Sequence, residues 1–519
     1  MRVSFKSICT LLLLALCLSS LAWGASSKRP NILFAISDDQ SGAHTSMAGY
    51  AAIQTPNFDR VARDGIYFTQ AFTASPGCSP SRAAILTGRY CWQLEHAGTH
   101  GSSFPKKYEV YPDILEGAGY VVGFTGKGWG PGNFTDSGRT RNPAGPAWQD
   151  KTMKAPQGIS RTDYATNFED FLNARDDGKP FCFWYGAKEP HRVFKDGLGL
   201  EKGKKLSDVV VPSFLPDSPK VRSDILDYCA EIEWFDDHLG RMLKLLEERD
   251  ELDNTIVIVT SDNGMAFPRA KANMYEYGIN LPLAISWAAA IPGGRMVDDL
   301  ISFTDFAPTL LDAAGVKHPS VDGDTPPMVG QSLLPMLTSN QEGITMPERT
   351  GVYSARERHS SSRYKTLGYP QRGLRTQQYL YVRNFHPERW PAGTPQKMGV
   401  GNYPKDETVL GPMHGGYHDI DPSPTLDFMI DERDNPTFQQ YLGWSVDKRS
   451  AEELYDIKND PGCLNNLAES PEFRSVCNRL SLQMKNFLTE TGDPRLVGDG
   501  EIFETYKRYG KHRKFPRPE

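Results

Sequence analysis

NILFAISDDQ, residues 31–40, is the stretch whose reading decides the fold. Between Asn31 and Ser37 the run is apolar without a break, and Asp38, Asp39 and Gln40 follow at once. A strand with one wet face alternates. An unbroken run suits a strand buried on both faces, as in a parallel sheet. TIVIVTS, 255–261, repeats the pattern and ends in Asp262-Asn263-Gly264. Residues 120–125 and 181–187 read as two more such strands, one ending at Gly126-Lys127 and the other near His191. Helical stretches lie between them, including 111–117 and 225–249. Strand and helix in alternation predict an α/β sheet covered on both sides. Ligands of open α/β sheets sit off the carboxyl ends of the strands. Each polar cluster named here falls at such an end, which predicts one composite site.

The character changes after about residue 365. RGLRTQQYLYVRNF, 372–385, reads as one strand with no crossover helix after it. A stretch rich in Pro, Gly and aromatics runs to about 445, and a terminal helix is expected over 475–491. With 519 residues the chain is long enough for two domains. The expected division is a signal segment at 1–24, a catalytic domain at 25–368 and a smaller α+β domain at 369–519.

The first 24 residues have the marks of a secretory signal: Arg2 and Lys6, then LLLLALCL, then Ala22-Trp23-Gly24. The apolar run is too short to span a bilayer, and Leu16 is too large for a lipoprotein reading at Cys17. An exported chain with no membrane span is expected. The net charge of −6 argues against nucleic acid and against a general trap for polyanions, so attraction to an anionic substrate must be local. Of eight cysteines, Cys9 and Cys17 leave with the signal, and six in so long a chain are not a disulfide scaffold. Cys463 and Cys477 flank one polar loop and are the expected pair. Cys182 is read as core.

CSPSR, 78–82, continues as AAILTGRY to Tyr90 and reads as a loop running into a helix. Ser79 or Ser81 is expected to cap it, and Pro80 is tolerated in the first turn. Cys78 then sits at the positive helix end, and Arg82, one turn on, returns to the same face. A nucleophile, a helix N-terminus and an arginine suit an oxyanion ester. The plainer alternative is a buried cysteine in an ordinary helix. Asp38, Asp39, Asp262 and Asn263 are hard oxygen donors whose charges repel unless a cation lies between them. They fit calcium or magnesium rather than zinc, with Gln40 as a further ligand or a support. Two plain turns are the alternative.

CSPSR followed by AAILTGR resembles the signature of the type I, formylglycine-dependent sulfatases. TSDNGMAFPRAKANMY (260–275) and GAKEPHR (186–192) are most similar to the N-sulfoglucosamine sulfohydrolase branch. The resemblance implies an alkaline-phosphatase-like α/β/α sandwich and a sulfohydrolase acting on a sulfated carbohydrate, through an O-sulfate or N-sulfate at a chain end. It implies that a maturation enzyme converts Cys78 to formylglycine, whose hydrate attacks sulfur. It implies calcium held at Asp38, Asp39, Cys78, Asp262 and Asn263. Arg82 is implied to hold the nucleophile, Lys127 and Lys271 to bind sulfate, and His191 to protonate the leaving group. The branch usually carries Arg where Lys271 stands. The family pattern reads Lys-x-His where this chain reads Lys127-Gly128-Trp129, so the histidine assigned to sulfate release is absent. His44 and His100 are candidates to replace it, His100 alternatively touching substrate. Trp129 is read as an apolar pocket wall for a sugar ring. Arg356-Glu357-Arg358-His359 is read as substrate-reading, with Arg358 and His359 on a carboxylate or second sulfate. Two other readings stand beside this one: a phosphonate or phosphate monoester hydrolase of the same superfamily, and a non-catalytic binder of sulfated glycans.

Overall fold

The structure, a computed structural model, describes residues 29–317, 326–401 and 405–518, and the expected signal at 1–24 lies outside them. Among the described residues nine strands precede residue 303: β1 (Asn31–Ser37), β2 (Ile66–Phe68), β3 (Ala71–Phe72), β4 (Val121–Gly126), β5 (Phe181–Gly186), β6 (Thr255–Ser261), β7 (Leu283–Ser286), β8 (Arg295–Val297) and β9 (Ile301–Ser302). Seven of them form one sheet in the order β4-β5-β1-β6-β7-β2-β8. The first four in that order are mutually parallel, and β7 is antiparallel to both of its neighbours, so the sheet is mixed. Every residue of β1 and β6 is buried, as their unbroken apolarity predicts.

Alternate residues feed two layers. Ile32, Phe34 and Ile36 face a core shared with the helices Cys78–Thr87, Tyr111–Gly117 and Phe306–Ala313. Leu33 and Ala35 face another, shared with the helices Pro56–Asp64, Tyr164–Ala174 and Pro219–Glu247. The result is the expected α/β/α sandwich. The long helix begins at Pro219 rather than near 225, because the Ser218 side chain accepts the Val221 N–H and Pro219 fits the first position. Register then builds the site. Ser37 pairs with Ser261 and Gly126 with Gly186, so the residues after β4, β5, β1 and β6 emerge along one edge.

A second, antiparallel sheet runs β10 (Val352–Arg356), β11 (Gln371–Arg375), β12 (Tyr379–Asn384), β13 (Glu452–Asp456). It begins at Val352, ahead of the boundary expected at 369. The single strand expected over 372–385 is two strands, β11 and β12, turned by residues 376–378, where the Thr376 N–H bonds the Tyr379 carbonyl. One face of this sheet packs through Tyr353, Tyr381 and Leu454 on the helix Arg474–Glu490 and on Ala84 of the Cys78 helix. The other packs through Leu380 and Val382 on Met274 and Tyr275. Cys463 and Cys477 lie in these two separate clusters, on opposite faces of the sheet, so the expected disulfide does not form. All six cysteines of the described residues are free thiols. Among the described residues no helix is long and apolar enough to cross a membrane.

Candidate active site

Cys78 opens the helix Cys78–Thr87, with extended Gly77 as its cap and no side-chain cap. The expected serine caps are engaged elsewhere. The Ser81 hydroxyl bonds the Thr73 hydroxyl at 2.8 Å, and the Ser79 hydroxyl accepts the Gly101 N–H at 3.1 Å. Gly77 is closely enclosed, since a Cβ there would lie 3.0 Å from Nδ1 of His359 and the imidazole would have to give way. The Cys78 thiol is buried, which pushes its pKa well up, and it points at Asp38 Oδ1, 3.4 Å away, with Asp39 Oδ1 at 3.9 Å.

Four strand ends converge on it. Asp38 and Asp39 follow β1; Asp39 adopts φ 76°, a region aspartate tolerates better than most residues. Asp262 and Asn263 follow β6. Asp262 accepts Arg82 Nε at 2.7 Å and the Asp39 N–H at 3.1 Å, and Asn263 Nδ2 donates to Asp39 at 2.7 Å. Lys127, after β4, pairs with Asp38 at 2.5 Å, while its carbonyl receives Arg82 Nη1 at 2.7 Å. Lys271 lies between Asp39, at 2.6 Å, and Asp421, at 2.9 Å. His191, beyond β5, bonds the Arg192 carbonyl through Nδ1 at 2.6 Å and turns Nε2 to Asp39 at 3.9 Å.

Electrostatics divides these acids. Burial alone would raise Asp38, but Lys127, His191, Arg82 and Lys271 outweigh it and hold the carboxyl far below its usual range. Burial, with Asp38 beside it, pushes Asp262 up to about 6. Burial would also lower both lysines, yet Asp38 keeps Lys127 raised and Asp39 with Asp421 keeps Lys271 raised, so both remain charged.

The donor set fits a hard cation. Asp38, Asp39, Asp262 and Cys78 each bring one donor atom within 4.8 Å of the others. Oδ1 of Asn263 is buried with no hydrogen-bond partner, and a cation beside the carboxylates would satisfy it. Gln40 is not among the donors, because its amide bonds Ser37 and the His44 carbonyl. An open cavity of about 600 Å³ leads in past Lys127, Ser160, Arg161, Lys188 and His191.

Other expected residues fall elsewhere. Trp129 is buried against Phe104, and its indole N–H donates to the Ser79 carbonyl at 3.0 Å, so it is core rather than pocket wall. His44 is enclosed by Tyr50 and Tyr228, and burial lowers its pKa to about 3, which removes it as a candidate base. Arg356 is committed to Asp419, Glu357 to Arg372 and Arg495, and Arg358 to the Tyr506 carbonyl. That leaves His359, stacked on His100 at 4.5 Å behind Gly77. Asp421 was not foreseen; it lies in a stretch with no periodicity and reaches Lys271 only through packing. Arg192 was also passed over, though it sits in the same EPHR motif as His191. It is buried, makes a two-pronged pair with Asp224 at 2.7 and 2.8 Å, and fixes the loop that carries His191.

A family model described as Sulfatase matches residues 30–316, and one described as N-sulphoglucosamine sulphohydrolase, C-terminal, matches 269–391. The human N-sulphoglucosamine sulphohydrolase is 28% identical over 537 residues, covering 94% of this chain and 96% of that protein. An N-acetylglucosamine-6-O-sulfatase of Bacteroides thetaiotaomicron is 28% identical, covering 73% of this chain and 84% of its own length. The solved structure of BT4656 in complex with its substrate D-glucosamine-2-N,6-O-disulfate superposes with a TM-score of 0.62 at 22% identity, covering 91% of this chain and all of that one.

Proposed function

The chain belongs to the sulfatase family and is a sulfatase, and we propose that it releases sulfate from the terminal sugar of a sulfated carbohydrate chain, using Cys78 matured to formylglycine and a calcium ion. The observation that carries this reading is the convergence of Cys78, three carboxylates, Asn263, Lys127, Lys271 and His191 at four adjacent strand ends. The names of the relatives support a sugar substrate with sulfate on nitrogen or oxygen.

Asp38, Asp39, Asp262 and Asn263 would hold the calcium, which supplies positive charge against the sulfuryl oxygens. The formylglycine supplies a hydrated aldehyde oxygen as nucleophile. Arg82 is fixed by Asp262 and two backbone carbonyls, and its Nη2, buried without a hydrogen-bond partner and 3.9 Å from Asp38, would be free to hold the nucleophile. Lys127 and Lys271 offer ammonium groups to the non-bridging oxygens, which an O-sulfate and an N-sulfate present alike. His191 uses Nδ1–H on the Arg192 carbonyl, so Nε2 is the atom that gives a proton to the departing oxygen or nitrogen. Residue 129 cannot take the proton on sulfate release. Export, with 1–24 as its signal, and an encounter with a formylglycine-generating enzyme are part of the same reading.

The test offers N-sulfated and 6-O-sulfated glucosamine, as monosaccharides and at oligosaccharide ends, beside an aryl phosphate. Sulfate release from the sugar ends, with phosphate turnover far slower, is expected. Faster phosphate hydrolysis, or release only from internal residues of long chains, would overturn it.

A further inference from the structure

Besides His191, the open cavity that leads to Asp38 carries Lys127, Arg161, Lys188 and Arg192 in its wall. Two of these cations are committed. Lys127 pairs with Asp38 at 2.5 Å. Arg192 pairs with Asp224 and lies over the rings of Phe194 and Phe267. Arg161 and Lys188 are exposed, and among the described residues neither has a carboxylate within ion-pair distance. The second acid in the wall is occupied. Glu189 is buried; its Oε1 accepts the Ser160 N–H at 2.7 Å, and its Oε2 accepts the Lys188 N–H at 3.2 Å and the Tyr164 hydroxyl at 2.9 Å.

The same carboxylate thus pins the backbone beside both cations. Further bonds fix it. The Arg161 carbonyl accepts the Met153 N–H at 2.8 Å, and the Lys188 carbonyl accepts the His191 N–H at 3.0 Å. The Glu189 carbonyl accepts the Asp38 N–H at 2.9 Å, which ties this wall to the reacting centre. Exposure rises outward along it: 2% for the Asp38 side chain, 18% for Lys127 and 37% for His191, with Arg161 and Lys188 outermost. His191 faces the leaving atom, so the departing sugar lies against this wall. Lys188 shares a turn with His191, and a lysine and an arginine on fixed backbone suit a sulfate or carboxylate.

We propose that Arg161 and Lys188 bind a second anionic group of the substrate, a sulfate or carboxylate on the departing sugar or on the sugar linked to it. The proposal rests on the sulfated-carbohydrate reading of the active site. It makes the enzyme prefer doubly charged units to singly charged ones.

The experiment measures kcat/KM in the wild type and in Arg161→Gln/Lys188→Gln. The substrates are N-sulfated and 6-O-sulfated glucosamine, the N,6-O-disulfated sugar, and disaccharides joining each singly sulfated sugar to a uronic acid. The wild type should prefer a doubly charged substrate, and that preference should fall about tenfold in the variant and weaken with added salt. A fall confined to the disulfated sugar puts the second anion on the departing ring; one confined to the disaccharides puts it on the neighbour. A wild type without the preference, or a variant that keeps it, overturns the proposal. So does an equal loss on every substrate, which would put both cations on the scissile sulfate. If the wild type turns over none of these sugars, the active-site reading fails, and calorimetric titration with the disulfated sugar decides the role of the two cations. Tighter binding by the wild type than by the variant supports it; equal binding, or none, overturns it.

Discussion

Trp129 takes a position next to Lys127 and yet serves the interior. Its indole ties the 127–129 turn to the Cys78 helix through the Ser79 carbonyl and fills space against Phe104. Trp129→His restores the imidazole of the family pattern but empties part of a packed core. It should cost about 3 kcal/mol of stability and bring no gain in turnover, read by thermal unfolding and steady-state rates. Faster turnover at an unchanged melting temperature would mean that residue 129 faces the pocket. The other site residues divide by how local their signals are. Cys78, Arg82, Asp38, Asp39, Asp262 and Asn263 were legible because each stands in a short motif at a strand or helix end. Asp421 was not, because its contact with Lys271 spans 150 positions and it stands in an irregular segment with no spacing of its own.

Strands were the most legible elements. The bounds of β1 and β6 follow from apolar runs that burial on both faces demands. The hairpin of β11 and β12 was hidden because Thr376-Gln377-Gln378 holds no Gly, Pro, Asn or Asp to mark a turn. The helix Pro219–Glu247 carries a buried carboxyl that no pattern explains. Glu231 on it is fully buried, with both carboxyl oxygens unpartnered, and Gly158 of the loop at the cavity wall crosses it so closely that a Cβ there would lie 3.3 Å from Oε1. Burial, with Glu189 and Asp227 adding to it and Arg192 and Lys202 opposing, raises its pKa from 4.5 to about 9. An unfolded chain releases this proton near 4.5 and the folded one near 9, so folding takes up a proton between those values. Stability should therefore fall as pH rises through that window, by up to about 1.4 kcal/mol per unit from this group. Glu231→Gln should flatten the dependence of the unfolding midpoint on pH; an unaltered slope would show that Glu231 is already ionised or hydrated.

Over the whole molecule the site belongs to no single sheet. The parallel strands deliver the carboxylates, Asn263, Lys127 and His191. The small antiparallel sheet begins at Val352, and the segments beyond it bring Asp421 to Lys271 and set His359 behind the cap of the Cys78 helix. The Cys78 helix is held between them, sharing one core with β1 and another with the helix Arg474–Glu490. That division explains why the α/β sandwich was readable from the sequence while the pocket's far wall was not: the first depends on local periodicity, the second on how 352–518 folds back. The central claim is that this assembled site works through a modified Cys78. The measurement that tests it most directly is mass spectrometry of the Cys78 peptide from catalytically active enzyme, followed alongside sulfate release. The account predicts a residue that has exchanged one sulfur and two hydrogens for one oxygen, in a fraction that tracks the specific activity. Full activity in protein whose Cys78 is entirely an intact thiol would contradict it.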